Sequence, residues 1–183
     1  MIHRLPAELS ETLRQALAGH DGVADFAILP LSGDPAVVVV LSEMGCVLEI
    51  REELRAVLDR AGSDAEPAVL AVTELPAHHL DEAWFRREMA NSPSASRYAA
   101  PATALEHELA ACLARVLNRP RVGVLDDFVD LGGDSVLAVR FVTAVRDEND
   151  LPLTLIELFG AGTVRRLAQL LTAREPIALS GRG

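Results

Sequence analysis

The sequence predicts two folded units of different class. An α+β N-terminal unit spans residues 1–90, a small three-stranded sheet with helices, and an all-α helical bundle spans residues 104–173. Three observations carry this prediction. In the first 90 residues, apolar residues at helical spacing alternate with short runs of β-branched residues. Beyond residue 104 the apolar pattern keeps the helical period throughout. Between them, the stretch from Asn91 to Pro101 lacks periodic hydrophobicity and is rich in Ser, Pro and Ala, which reads as a linker covering residues 91–103. Residues 174–183 read as a flexible tail.

Each element has its own signal. Pro6 to His20 places Leu9, Leu13, Ala16 and Leu17 on one helical face. Val23 to Leu29 follows an Asp21-Gly22 turn and reads as a strand. Ala36 to Leu41 holds four consecutive valines after the breaker Ser32-Gly33-Asp34-Pro35, the signature of a short strand buried on both faces. Leu48 to Arg60 is a helix ending near Gly62. Ala68 to Val72 is a third strand. Asp81 to Met89 is a helix with acidic residues in its first turn; on it, Trp84 and Phe85 either pack against the sheet or form an aromatic docking surface. In the second unit the helices are Ala104 to Leu117, Ser135 to Asp147 and Thr163 to Leu171, with a short apolar piece from Leu155 to Phe159. In the Ser135 helix, Val136, Val139, Phe141, Val142 and Val145 are the apolar positions.

Composition narrows the chemistry. The chain has 183 residues, 50% hydrophobic and 24% charged, with a net charge of −10. A nucleic-acid binder carries a basic excess, and this chain carries the opposite. The acidity is concentrated in residues 1–90, which hold seven basic and sixteen acidic residues. All 17 basic residues are Arg. The absence of Lys excludes a Lys Schiff base, a Lys general base and a phosphate-loop lysine. Cys46 and Cys112 are far apart, show no metal-ligand spacing, and read as reduced buried thiols. His78 and His79 read as an exposed loop pair, and no Cys/His cluster has a zinc pattern. No apolar run of 18 residues and no basic-then-apolar leader is present, so a cytoplasmic protein without a membrane partner is expected.

One segment carries the functional reading: Asp126-Asp127-Phe128-Val129-Asp130-Leu131-Gly132-Gly133-Asp134-Ser135. Phe128 and Leu131 can anchor a loop on the core, and the glycine pair permits backbone conformations closed to other residues. Ser135 opens an amphipathic helix at or next to its N-cap, beside free backbone N–H groups, where an exposed anion such as a phosphodiester gains about 0.3–1 kcal/mol. By itself the string reads as a plain loop before a capped helix. It is not a nucleophile elbow, because Leu137 stands where that motif has Gly and no strand precedes the serine. It is not a nucleotide loop, because no Lys follows.

In its wider context, residues 104–173 resemble the peptidyl carrier (thiolation) domains of nonribosomal peptide synthetases. The likeness runs through the first helix, the Val124-to-Ser135 segment, the Leu151-Pro152-Leu153 turn, Ile156-Glu157-Leu158-Phe159 and the Thr163-Val164-Arg165-Arg166-Leu167-Ala168 helix. The resemblance implies that Ser135 accepts the phosphopantetheine of coenzyme A from a separate phosphopantetheinyl transferase. The arm's thiol would then hold an amino acid or peptide as a thioester. Asp134 is then the residue preceding the attachment serine. Asp134, Val136, Leu137, Arg140 and Phe159 would meet partner enzymes or surround the arm, and Val136, Leu137 and Arg140 would otherwise serve as core or ordinary surface. No residue of the chain is given a catalytic or metal-binding role.

Residues 1–90 are similar to the small C-terminal subdomain of adenylation domains. The likeness rests on the α-β-β-α-β-α order, His20-Asp21-Gly22-Val23, Glu74-Leu75-Pro76 and the position before a carrier. That family has an adenylate-binding lysine after the Leu-Pro, but here the stretch reads Ala77-His78-His79-Leu80-Asp81. A non-catalytic remnant is therefore expected, one that docks a partner or solubilises the carrier. The expectation is a free-standing carrier, not itself an enzyme, for nonribosomal peptide or amino-acid-modifying biosynthesis. Its partners would be the transferase, an adenylating enzyme acting in trans and a downstream condensation or tailoring enzyme. The alternatives are an acyl carrier of polyketide or fatty acid type, a non-catalytic adaptor with a carrier fold, and a fragment of an adenylate-forming enzyme.

Overall fold

The computed structural model describes residues 6–29, 34–77, 80–149 and 151–174. The His78-His79 pair, residues 1–5 and the expected tail beyond residue 174 lie outside the described residues. The chain divides into two compact units, residues 1–97 and 98–183.

In the first unit, the elements in chain order are α1 (Ala7–Ala18), β1 (Val23–Leu29), β2 (Ala36–Leu41), α2 (Val47–Arg60), β3 (Ala68–Val72), α3 (Glu82–Asn91) and β4 (Ala95–Arg97). The sheet order is β1-β2-β3-β4. β1 and β2 are antiparallel, β2 and β3 parallel with α2 as the crossover, and β3 and β4 antiparallel. The valine run explains the layering. Val37 and Val39 face α1 and α2, with Leu13, Leu17, Ile50, Leu54 and Val69 around them. Ala36 and Val38 face the other way, toward Phe85 of α3, with Leu29 and Leu70. A strand covered on both faces has no reason to alternate with polar residues. Helix α2 ends in a Schellman turn: Gly62 sits at φ +72°, its N–H donates to Asp59 O at 3.0 Å, and the Ser63 N–H donates to Leu58 O at 2.9 Å.

The three-stranded expectation is corrected to a four-stranded sheet, and the expected linker loses three residues to it. Ala95, Ser96 and Arg97 pair with Leu70, Val69 and Ala68. No strand propensity announces Ala-Ser-Arg; the free edge of β3 recruits it through backbone hydrogen bonds, a tertiary effect that composition does not encode. The aromatic pair on α3 takes its packing role: Phe85 is buried and Trp84 packs against the same cluster.

In the second unit the elements are α4 (Ala104–Val116), α5 (Ser135–Asn149), α6 (Leu155–Ala161) and α7 (Val164–Thr172). Among the described residues of this unit, the β structure is one isolated antiparallel bridge between Asp127 and Thr163. Every helix starts on a side-chain cap. Thr103 Oγ1 accepts from the Glu106 N–H, Thr154 forms a capping box with Glu157, and Thr163 Oγ1 accepts from the Arg166 N–H. Asp134 serves α5 in the same way. Each such cap is worth about 1 kcal/mol. The core is built from Leu109, Leu113, Phe128, Phe141, Leu158 and Leu167, all buried. Glu106 is buried with them, accepting from the Ala102 N–H at 2.7 Å and pairing with Arg165 Nε at 3.1 Å, which ties the start of α4 to α7. Cys112 is a buried free thiol, as expected, while free Cys46 is only half-buried. Burial raises the Cys112 pKa above the ordinary thiol value.

Candidate functional site

The loop from Val124 to Asp134 is held by its own backbone. The Val124 N–H donates to Ala99 O at 2.9 Å, and Val124 O accepts from the Arg165 N–H at 3.0 Å. The Phe128 N–H donates to Gly162 O at 2.8 Å, fixing the loop to the end of α6. The loop then turns back on itself, with Leu131 N–H on Asp127 O at 3.0 Å and Gly133 N–H on Phe128 O at 2.9 Å. Both glycines are required, for different reasons. Gly132 sits at φ +87°, in the region that L side chains rarely adopt. Gly133 lies flat against Phe128; a Cβ there would come within 2.5 Å of the phenyl ring and closer still to the Phe128 carbonyl.

Asp134 and Ser135 follow. Asp134 is the N-cap of α5: its Oδ1 accepts from the Val136 N–H at 2.9 Å and the Leu137 N–H at 2.8 Å, and its carbonyl accepts from the Ala138 N–H at 2.8 Å. Ser135 is the first helical residue and is exposed. This corrects one electrostatic expectation. Two of the N–H groups expected to be free for an anion are already taken by the Asp134 carboxylate, which also neutralises the positive end of the helix. Ser135 thus stands exposed at a helix start whose Val136 and Leu137 N–H groups are already occupied. The surrounding charge is acidic, with Asp126, Asp127, Asp130 and Asp134 on one loop. Burial, then Asp127 and Asp126, raises the Asp130 pKa above the ordinary carboxylate value.

The other predicted residues divide. Val136 is 61% exposed, Arg140 is exposed and Leu137 is half-buried, so these three flank Ser135 on the first turns of α5. Phe159 of α6 is 46% exposed and meets Phe128 edge to face, with centroids 5.7 Å apart. Because Phe128 also backs Gly133, Phe159 is joined to the serine loop through one ring. Sequence reasoning missed Val139 and Ile156, which are 51% and 85% exposed. The signal was present for Val139. The buried face of α5 is Ala138, Phe141 and Val145, at spacings of three and four. Val136 and Val139 lie off that face, although the apolar pattern had grouped them with it. Among the described residues, no group of three or more His, Cys, Asp or Glu side chains is placed to hold a metal ion. No helix among them is long and apolar enough to cross a membrane.

A phosphopantetheine arm fits these residues. It needs an exposed hydroxyl on a fixed backbone and no buried cradle, and Ser135 on the first turn of α5 meets both conditions. When attached, the arm supplies a flexible tether ending in a thiol.

Known proteins are similar in sequence to part of this chain. Residues 107–171 match the family described as the phosphopantetheine attachment site. A phenyloxazoline synthase of Mycobacterium tuberculosis is 49% identical over 81 residues, which are 43% of this chain and 6% of that protein. Tyrocidine synthase 2 of Brevibacillus parabrevis is 42% identical over 81 residues, 44% of this chain and 2% of that protein. A solved structure of a phosphopantetheine transferase in complex with coenzyme A and a peptidyl carrier protein includes a chain 36% identical to this one. The match covers 42% of this chain and 100% of that one, with a TM-score of 0.40. The chain therefore spans a small fraction of the synthases it matches. Through residues 107–171 it belongs to the phosphopantetheine-attachment family, as a carrier domain of the nonribosomal-peptide-synthetase kind and not a catalytic one.

Proposed function

We propose that Ser135 is the attachment point of the phosphopantetheine arm and that the loaded arm carries an amino acid or peptide as a thioester. The observation that supports this is the exposed serine at the start of α5, following a loop whose glycines fix its backbone. In the attachment step the Ser135 Oγ–P bond forms as a phosphodiester, the phosphoanhydride bond of coenzyme A breaks with adenosine 3′,5′-diphosphate as leaving group, and the serine proton leaves to a base of the transferase. Asp134 holds the helix start in place, with Oδ1 engaged by two backbone N–H groups. Val136, Leu137, Arg140 and Phe159 form the surface that a transferase, a trans-acting adenylating enzyme and a downstream condensation or tailoring enzyme meet in turn. Such encounters are brief and small in area. The acidic first unit is a non-catalytic relative of the adenylation C-terminal subdomain and serves as a docking element for the adenylating enzyme.

Intact-protein mass after incubation with coenzyme A and a broad-specificity phosphopantetheinyl transferase tests the attachment. The expected result is a gain of one phosphopantetheine unit, absent in Ser135→Ala. A folded wild-type protein that gains nothing would overturn the reading and leave an adaptor with a carrier fold.

A further inference from the structure

We infer that Arg119 is a positioning residue for the Ser135 loop, which it acts on from outside through the Leu131 carbonyl. The inference rests on the proposed attachment at Ser135. Arg119 stands just past the end of α4. There Asn118 takes φ +52°, which Asn tolerates, and the Arg119 N–H closes the helix on Ala114 O at 2.8 Å. This turn directs the guanidinium across to the loop. Nη2 and Nε donate to Leu131 O at 2.9 and 3.2 Å.

The placement of that carbonyl is what matters. Leu131 O belongs to the peptide entering Gly132, whose N–H donates to Val129 O at 2.9 Å, so the guanidinium holds the opposite side of a peptide already tied by its N–H. The Gly132 φ of +87° is accessible to glycine alongside many other values, and a Cβ built there meets nothing within 4 Å. The joints that follow are fixed as well, at Gly133 by its bond to Phe128 O and at Asp134 by its capping bonds. Two charge-assisted donors on one carbonyl set the plane of the Leu131–Gly132 peptide. That plane determines the direction from which the chain reaches Ser135. Without the guanidinium, the peptide beside the permissive glycine keeps only its N–H bond to Val129 O and turns more freely about it. Ser135 then spends less of its time in the presented conformation.

A transferase that selects the presented conformation sees a lower concentration of it, so its KM for the carrier rises in inverse proportion to the populated fraction. Steady-state loading of the full chain by a broad-specificity transferase, with coenzyme A saturating, tests this. Arg119→Ala is expected to raise KM about tenfold while kcat at saturation stays within about twofold. Arg119→Lys, which keeps one donor, is expected to fall between. Thermal unfolding establishes which variants are folded at the assay temperature; if Arg119→Ala is not, Arg119→Lys and Arg119→Gln are judged on the same split. A purely structural role lowers the melting temperature and leaves the KM of the folded protein unchanged, and that result would overturn the inference. So would a fall in kcat at unchanged KM. Wild type and Ser135→Ala separate the two ideas. If wild type takes no arm, the proposed attachment fails; if wild type loads and the folded Arg119 variants match it, only the role of Arg119 fails.

Discussion

The first unit hides its large apolar side chains and the second leaves several outside. Among the described residues, Met44 is the exposed large hydrophobic residue of the first unit, whereas seven lie on the second, all between Leu125 and Phe159. The sheet accounts for the first pattern. Helices on both faces of β2 and β3 give Val37, Val38 and Val39 of the run buried apolar partners. In the second unit the helices need only one stripe each to close a core, so α5 and α6 have a second apolar stripe to spare. Grouped exposed apolar residues of this kind mark a surface that meets other proteins. Here Val136 and Val139 lie on the first turns of α5, and Leu155, Ile156 and Phe159 lie on α6. The same chain thus builds one unit that buries nearly all its large hydrophobic residues and another that leaves several of them exposed.

The glycines sharpen that contrast. Gly62 and Gly133 both end or precede helices, but only Gly133 is closed in by a neighbour. Gly133→Ala forces a methyl group against Phe128 and is expected to cost about 2–3 kcal/mol, with loss of the native loop. Gly62→Ala meets open space and is expected to cost about 1 kcal/mol, from its left-handed backbone alone. Chemical denaturation of the two variants measures both. Equal costs would mean that the serine loop is no more tightly packed than an ordinary helix end.

A smaller effect separates the units by pH. The Ala102 N–H holds the Glu106 carboxyl below the ordinary carboxylate pKa; the opposing burial is outweighed together with the Arg165 guanidinium. A depressed carboxylate pKa contributes stability that is fully present above the unfolded value, about 4.3, and is lost as pH falls through the folded value. Glu106→Gln keeps an acceptor but loses the charge and is expected to cost about 1–2 kcal/mol near neutrality. Below about pH 4 the difference between variant and wild type is expected to shrink. Amide exchange in α4 and α7 measured from pH 7 to pH 3 checks it. A constant difference over that range would show that the ion pair contributes nothing.

The residues themselves explain how much was legible. Val37 to Val40, the Leu13–Leu17 pair and the helices of the second unit announce themselves by period, because burial on a fixed face is what period records. The Gly132-Gly133-Asp134-Ser135 string pointed to the site, since its backbone demands select glycine. β4 was hidden because Ala95-Ser96-Arg97 is a strand only by virtue of the β3 edge beside it. The free-anion picture at Ser135 failed because the same sequence offers two caps, Asp134 or Ser135, and geometry alone chooses the aspartate. Arg119 gave no signal at all: its partner is a carbonyl, and every residue has one.

The smallest structural perturbation tests the comparison most directly. Ile156 and Met44 are equally exposed, at 85%. Neither is in a core, so Ile156→Ser and Met44→Ser are each expected to change stability by less than about 0.5 kcal/mol. Their functional effects are expected to differ. Ile156 lies on α6, where Leu155 and Phe159 are also exposed, and removing an apolar side chain from the centre of a small interface costs about 1–2 kcal/mol. Ile156→Ser should therefore raise the KM of a broad-specificity phosphopantetheinyl transferase for the carrier roughly tenfold, while Met44→Ser leaves it unchanged. Loading kinetics on the two folded variants, side by side, decide whether exposure on α6 is surface kept for partners. If both variants load like wild type, the apolar stripe has no part in this encounter, and the distinction between the units reduces to how each one packs.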